Sequence, residues 1–302
     1  MRVYLAVFIY CCLLTVAGSS FLLAAEKPVV FVSILPQKFF VHQIAGEIFD
    51  VEVMVKPGAS PATYEPKPSQ MAKLSSSAAY LAIGVPFENN WLDKFNSVNP
   101  SMNIVHTEQG ITKISMAEHL HDAVDGDGHL EEHGREHGER AVLDPHVWLS
   151  PALVKKQTKI IFETLVEIMP EQSGLFDSNY QLFLDKLDAL DDELRALFKG
   201  RENMKFMVFH PSWGYFAREY GLKQVAIEME GKEPKPAQLL DLIRFAKDNG
   251  VQVIFAQRQF SAKKAKVVAR EIGGRVVIVD PLAENWFANL RQVGRSIHAV
   301  VQ

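Results

Sequence analysis

Five histidines, His119, His121, His129, His133 and His137, lie within nineteen residues among Asp, Glu and Gly, and His146 follows nine residues after the last of them. Half of the chain's ten histidines thus occupy a stretch that offers a hydrophobic core almost nothing. Neutral imidazole is the commonest transition-metal ligand, and histidines clustered with carboxylates read as metal binding. Two more residues stand where a backbone could present a ligand. His210 closes the apolar run Phe206–Phe209 and precedes Pro211; Asp280 closes Val276–Val279 and precedes Pro281. Proline lacks the N–H that a strand ladder needs, so both runs stop there. In parallel α/β sheets, ligands bind beyond the carboxyl ends of the strands. A single such His reads as a hydrogen-bonded core residue and a single such Asp as a helix cap. Both in the same half of the chain, together with His146, point to a metal in a cleft.

The histidine-rich stretch also spells His133-Gly134-Arg135-Glu136-His137, the H-x-x-E-H pattern of some zinc proteases. That chemistry needs both imidazoles on one face of a stable helix, with the Glu poised as a base. Gly126, Gly128, Gly134 and Gly138 among charges leave no apolar stripe to hold a helix, so the protease reading is rejected. Two readings remain for the segment: a solvated insertion without a role, or a tether that captures or senses metal. Histidine density favours the tether, with several weak, pH-dependent sites.

The elements that must position these residues alternate strand and helix through 302 residues. Strands are expected at Val29–Leu35, Val51–Val55, Tyr80–Gly84 and Asn103–Thr107, with helices from Gln37 to Ile48 and from Gln70 to Ser75. A second set follows at Phe206–His210, Gln224–Ile227, Val253–Gln257 and Val276–Asp280. Continuous apolar strands alternating with helices imply parallel βαβ units. Between the sets, Leu175, Phe176, Tyr180, Phe183, Leu184, Leu187, Leu190, Leu194 and Leu197 recur at helical spacing. The expected fold is α/β: two (β/α)4-type lobes with parallel sheets, residues 26–171 and 200–302, joined by a long helix over 172–199, with the metal cleft between lobes.

Residues 1–25 read as a cleaved signal peptide: a basic Met1-Arg2, an apolar run, and Leu23-Ala24-Ala25 before Glu26-Lys27. No Cys stands at a lipoprotein-like position, and Cys11 and Cys12 both lie inside the signal. An exported chain without thiols must bind metal through His and carboxylates. Without its signal it carries 31 basic against 36 acidic residues, and this mild acidity excludes a nucleic-acid partner. No later segment has the apolar length of a membrane span, so a soluble protein is expected.

The motifs Pro61–Gln70 (PATYEPKPSQ), Asp144–Pro151 (DPHVWLSP), Phe209–Gly214 (FHPSWG), Ile227–Lys235 (IEMEGKEPK) and Val279–Ala283 (VDPLA) occur in this order across the chain. On them the chain resembles the zinc/manganese-binding solute-binding proteins of ABC transporters, the ZnuA-like group of cluster A-I. The resemblance implies a monomeric periplasmic receptor, not an enzyme, that holds one Zn2+ between lobes and delivers it to a membrane permease; Mn2+ suits the ligands less well. His146, His210 and Asp280 match three of that family's metal ligands.

The fourth does not match, because Ala62 stands where the family's first-lobe motif usually carries His. A methyl group cannot bind metal, which leaves a tetrahedral zinc site one ligand short. Three readings stay open. Water completes the site; or His42, Glu65, His106 or a histidine of the 119–137 segment substitutes; or the metal differs. Helical spacing also allows His42 to be an ordinary, partly buried helix residue. Gln257 and Gln259 sit where they could hydrogen-bond a ligating His. Glu228, Glu230 and Lys232 read equally as support for the site, docking charges or solvated loop charges. Trp148, Trp213 and Trp286 are expected to pack the lobes. Two other functions fit the same residues: a secreted zinc hydrolase using the open position, and a periplasmic metal buffer or adhesin-like protein. No motif supplies the hydrolase with a general base and substrate pocket.

Overall fold

The computed structural model describes residues 26–116, 142–228, 234–259 and 262–300. The expected signal peptide and the five histidines at 119–137, with Glu230 and Lys232, lie outside the described residues. The first lobe runs β1 (Val29–Val32), α1 (Leu35–Ala45), β2 (Asp50–Val53), α2 (Pro68–Leu74), β3 (Ala79–Ala82), α3 (Glu88–Val98) and β4 (Asn103–His106). Two helices follow, α4 (Pro151–Ile168) and α5 (Ser173–Phe198). The second lobe runs β5 (Lys205–Val208), α6 (Gly214–Glu219), β6 (Lys223–Ala226), α7 (Pro236–Asp248), β7 (Val253–Ala256), α8 (Ala262–Glu271), β8 (Arg275–Ile278) and α9 (Trp286–His298).

Each lobe is built on a four-stranded sheet in which every strand pair is parallel, in the orders β2-β1-β3-β4 and β6-β5-β7-β8. The expected two-lobe α/β architecture is therefore observed. Central strands are buried on both faces, which is why β3 (AYLA) and β7 (VIFA) read as unbroken apolar runs. In both sheets the order reverses at the central pair, and the crevice that binds ligands in open α/β sheets opens at that point.

The strands end earlier than their apolar runs. Leu35, read as strand, starts α1, because the Gln37 side-chain Oε1 accepts the N–H groups of Ser33 (3.0 Å) and Ile34 (3.2 Å) and turns the chain. In the second lobe β5 stops at Val208 and β8 at Ile278, so His210 and Asp280 lie two residues beyond their strands, in the turns. Turn residues are those that a sheet can aim into a crevice.

The linking helix α5 is 26 residues long and buries Phe176, Phe183, Leu187, Leu190, Leu194 and Phe198. Leu175, read as part of that stripe, is exposed. Helix α5 packs on α4, on α1 of the first lobe and on α9 of the second. Phe183 meets Phe39 and Phe40 of α1 at ring-centroid distances of 6.3 and 6.0 Å, and Phe287 of α9 at 5.8 Å. Phe39 also touches Phe287 directly at 5.5 Å. Edge-on aromatic pairs contribute beyond the area they bury, and this cluster joins both lobes to one helix. No helix among the described residues is long and apolar enough to cross a membrane.

Candidate functional site

Residues on either side of 117–141 are drawn together: Met116 N donates to the Val142 carbonyl at 2.9 Å and Asp144 N to the Ile114 carbonyl at 2.8 Å. The Tyr215 hydroxyl, on α6 of the other lobe, accepts from Ile114 N (3.2 Å) and donates to the Asp144 carbonyl (2.9 Å). Burial pushes the Tyr215 phenol up to about 12, so it remains a donor at neutral pH. This clamp sets the start of DPHVWLSP. The buried Asp144 then turns the chain with its own side chain, Oδ1 accepting from His146 N at 2.8 Å. The same oxygen lies 2.7 Å from His146 Nδ1. A short 3-10 turn, Val147–Leu149, follows, and Ser150 caps α4 by accepting from Leu153 N.

His210 is held in the same way by a carboxylate from a neighbouring strand. Its Nδ1 lies 2.9 Å from Glu228 Oε2, and Glu228 is itself buried. Strand register explains the meeting. Val208 of β5 pairs with Ala226 of β6, and two further residues along each chain bring position 210 beside 228. An ionised carboxylate only accepts, so Nδ1 of each imidazole is the donor here and Nε2 is the nitrogen left for a metal. A carboxylate behind the far nitrogen is the usual support for a metal-bound histidine. Sequence reasoning offered Gln257 and Gln259 for that support. In the structure Gln257 Nε2 donates instead to the Ser212 hydroxyl.

Asp280 is fixed through Oδ1, which accepts from Gln259 Nε2 (3.2 Å) and from Leu282 N (2.9 Å). The next residue's carbonyl, Pro281 O, accepts from Trp148 Nε1 at 2.7 Å, tying this turn to the one after His146. Trp148, Trp213 and Trp286 are all buried, the packing role expected of them.

His146 and His210 both line a cleft of about 190 Å³ and meet edge to face, with ring centroids 5.4 Å apart and ring planes at 74°. Gln257, Gln259, Pro281 and Leu282 line the second-lobe side; Ser60, Pro61, Ala62, Val85 and Pro86 line the first-lobe side. Asp144, Glu228 and Asp280 put three carboxylates around two imidazoles, a field that favours a divalent cation. Among the described residues, no group of three or more His, Cys, Asp or Glu stands close enough to hold one metal ion, so the cleft brings together the histidine pair with Asp280 on its flank.

Of the proposed substitutes for the missing ligand, the three among the described residues lie elsewhere. His42 lies in a separate groove with Lys38 and Lys73, 3.7 Å from Glu47. His106 is exposed at the end of β4 beside Glu108, and Glu65 is exposed; neither lines the cleft. Ala62 does line it.

A family model described as the periplasmic zinc-uptake complex component A, ZnuA, matches residues 30–300. The chain is 30% identical over 265 residues to the high-affinity zinc uptake system protein ZnuA of Bacillus subtilis (strain 168), covering 85% of this chain and 79% of that protein. It is 27% identical over 266 residues to the zinc-binding protein AdcA of Streptococcus pyogenes, covering 86% of this chain but 51% of AdcA, so it spans about half of that relative. A crystal structure of ZnuA superposes with a TM-score of 0.81 at 39% identity, covering 92% of this chain and 100% of that one. A zinc-bound deletion mutant of ZnuA gives 0.80, also at 39% identity, covering 92% and 99%.

Proposed function

The chain belongs to the ZnuA family of zinc-uptake components, and from that premise we propose that it is an extracytoplasmic receptor that takes up one Zn2+ between its lobes and delivers it to an ABC-transporter permease. The observation that carries this reading is the histidine pair: the His146 and His210 rings line one cleft with centroids 5.4 Å apart, each with Nδ1 held by a carboxylate. Zinc binds imidazole nitrogen at about 2.0–2.1 Å, and one ion held by the Nε2 atoms of both rings is the proposed arrangement. Asp280, on the adjoining turn, is the proposed third ligand. The nitrogen-rich set favours Zn2+ over Mn2+, whose usual ligands are oxygens.

The relatives ZnuA of B. subtilis and AdcA are named for zinc uptake and zinc binding, which supports a receptor rather than an enzyme. The proposed organisation is a signal peptide at 1–25, lobes at 26–171 and 200–302, and the linking helix at 172–199, acting as a monomer in the periplasm. The histidines at 119–137 are proposed as an accessory capture segment beside the cleft, since Met116 and Val142, which border 117–141, both line it.

Zinc titration of the protein against His146→Ala, His210→Ala and Asp280→Ala tests the assignment. Each change is expected to abolish the tightest site and leave weaker sites in place. Unchanged high-affinity stoichiometry in His210→Ala would overturn it.

A further inference from the structure

His146 and His210 lie far apart in the chain, and the short stretch from His210 to Tyr215 connects them. That stretch is anchored at three positions by side chains from the second sheet. Glu228, just past β6, holds the His210 ring through Nδ1 at 2.9 Å. Gln257, just past β7, donates from Nε2 to the Ser212 hydroxyl. Gln224, within β6, accepts from Trp213 N at 2.7 Å through Oε1. Ser212 N also donates back to the His210 carbonyl at 2.9 Å. Glu228, Gln257 and Gln224 are all buried, and satisfied polar contacts in a low-dielectric interior specify one geometry. The stretch is a rigid spacer.

Tyr215 carries that frame to His146. It stands in the first turn of α6, and its hydroxyl accepts from Ile114 N at 3.2 Å and donates to the Asp144 carbonyl at 2.9 Å. Asp144 Oδ1 in turn accepts from His146 N and lies 2.7 Å from His146 Nδ1. Helix α6 also packs on the 3-10 turn Val147–Leu149 that follows His146. Tyr215, Asp144 and His146 are buried together. A carboxylate behind a ligating histidine sets the orientation of its ring, so whatever fixes Asp144 fixes the ligand. The Trp148–Pro281 bond ties the turn after His146 to that of Asp280; the Tyr215 hydroxyl ties it to the segment of His210.

We propose that Tyr215 is a positioning residue for zinc: its hydroxyl fixes the Asp144 turn to the segment that bears His210, and so sets the spacing of the two imidazoles before the ion arrives. The inference rests on zinc binding at His146 and His210 and names the residue that spaces them. Preorganisation reduces what binding must order. Affinity therefore depends on a hydroxyl that is itself no ligand.

The test is zinc titration of Tyr215→Phe, Asp144→Ala, the double variant and His210→Ala. Tyr220→Phe is the control, because that buried tyrosine bonds Asp191 on α5 at 3.1 Å, away from the cleft. Tyr215→Phe should weaken the tight site about tenfold, the low end of the range for groups behind a metal ligand. It should also shift the visible bands of bound Co2+, which report ligand geometry. Tyr220→Phe should do neither. In the Asp144→Ala background, loss of the hydroxyl should cost little more, since both groups act along one path. By linkage, a bond that helps zinc to bind is strengthened by zinc. In the wild type, zinc should therefore slow hydrogen exchange at Ile114 N more than at Leu222 N, which bonds the Ala217 carbonyl just beyond α6. That measurement needs no variant to fold. Unchanged affinity and Co2+ bands in Tyr215→Phe, an additive loss in the double variant, or equal slowing at both amides overturns the role of Tyr215; the zinc site stands if His210→Ala still loses it. If His210→Ala retains the tight site, the zinc assignment fails, and this inference with it.

Discussion

The indole nitrogen of Trp286 donates to the backbone carbonyl of Trp148 at 2.8 Å, so the first turn of α9 fastens the turn that follows His146. Trp148 in turn donates to the Pro281 carbonyl, next to Asp280. The turns that carry two of the three proposed ligands are thus tied by indole N–H groups of two buried rings donating to backbone carbonyls. Trp286→Phe keeps a ring in place but leaves the Trp148 carbonyl buried without its donor. A loss of about 1–3 kcal/mol in unfolding free energy is expected, with a weaker cleft site. Denaturant titration with and without zinc measures both, and an unchanged midpoint in each would contradict the coupling.

Glu228 holds the His210 ring through Nδ1 at 2.9 Å. Removing such a carboxylate partner typically costs about 10- to 100-fold in metal affinity. Glu228→Ala is expected to fall in that range, and Glu228→Gln, which retains an acceptor, to recover part of the loss. Equal affinity in all three proteins would show that the ring needs no such support.

Glu88 predicts a pH dependence of stability. Burial raises its carboxyl to about 7, against hydrogen bonds from Ser33, Ile83 N and Gly84 N that favour the charged form. Tyr80 and Glu108 are the titratable neighbours, and Glu108 pushes in the same direction as burial. A folded value above the unfolded one means that the native state binds the extra proton. The contribution is therefore greatest below the ordinary carboxylate range and is lost as pH rises through about 7. The full effect is about 3 kcal/mol. The stability of the wild type relative to Glu88→Gln should fall between pH 5 and pH 8, as read by urea denaturation. A difference that does not change with pH would refute the buried-carboxyl argument. The turn affected is one of consequence, because Gly84, at a φ of 78°, leads directly into Val85 and Pro86 on the cleft wall.

Deleting residues 119–137 should lower the number of zinc ions bound while leaving the fold and the tight site intact. The segment is too polar to serve a core. The Ser115–Leu143 bridge and the Tyr215 clamp hold its two ends independently of it. Loss of the tight site on deletion would identify a histidine of that segment as the missing ligand.

Periodicity alone carried the lobes, the alternation and the linking helix, since buried parallel strands and a core-facing helix stripe are local patterns that burial imposes on a chain. Local chemistry likewise marked His210 and Asp280, each followed by a proline that cannot join a strand ladder, and His146 by its place after the histidine-rich segment. The partners of the histidines divide in an instructive way. Asp144 is two residues from His146, and its turn is written in consecutive residues. Glu228 reaches His210 only because β6 pairs with β5 in the register of Val208 with Ala226, a choice made by packing two distant segments. Composition gives Gln257 and Glu228 equal claim to that role, and only the sheet order separates them. The same holds at the missing ligand. Sequence could name Ala62, His42, Glu65 and His106 side by side, because residue type says nothing about direction. Tertiary structure turns Ala62 into the cleft and puts His42 in a different groove, since α1 must spend its apolar face on α5 and the first sheet.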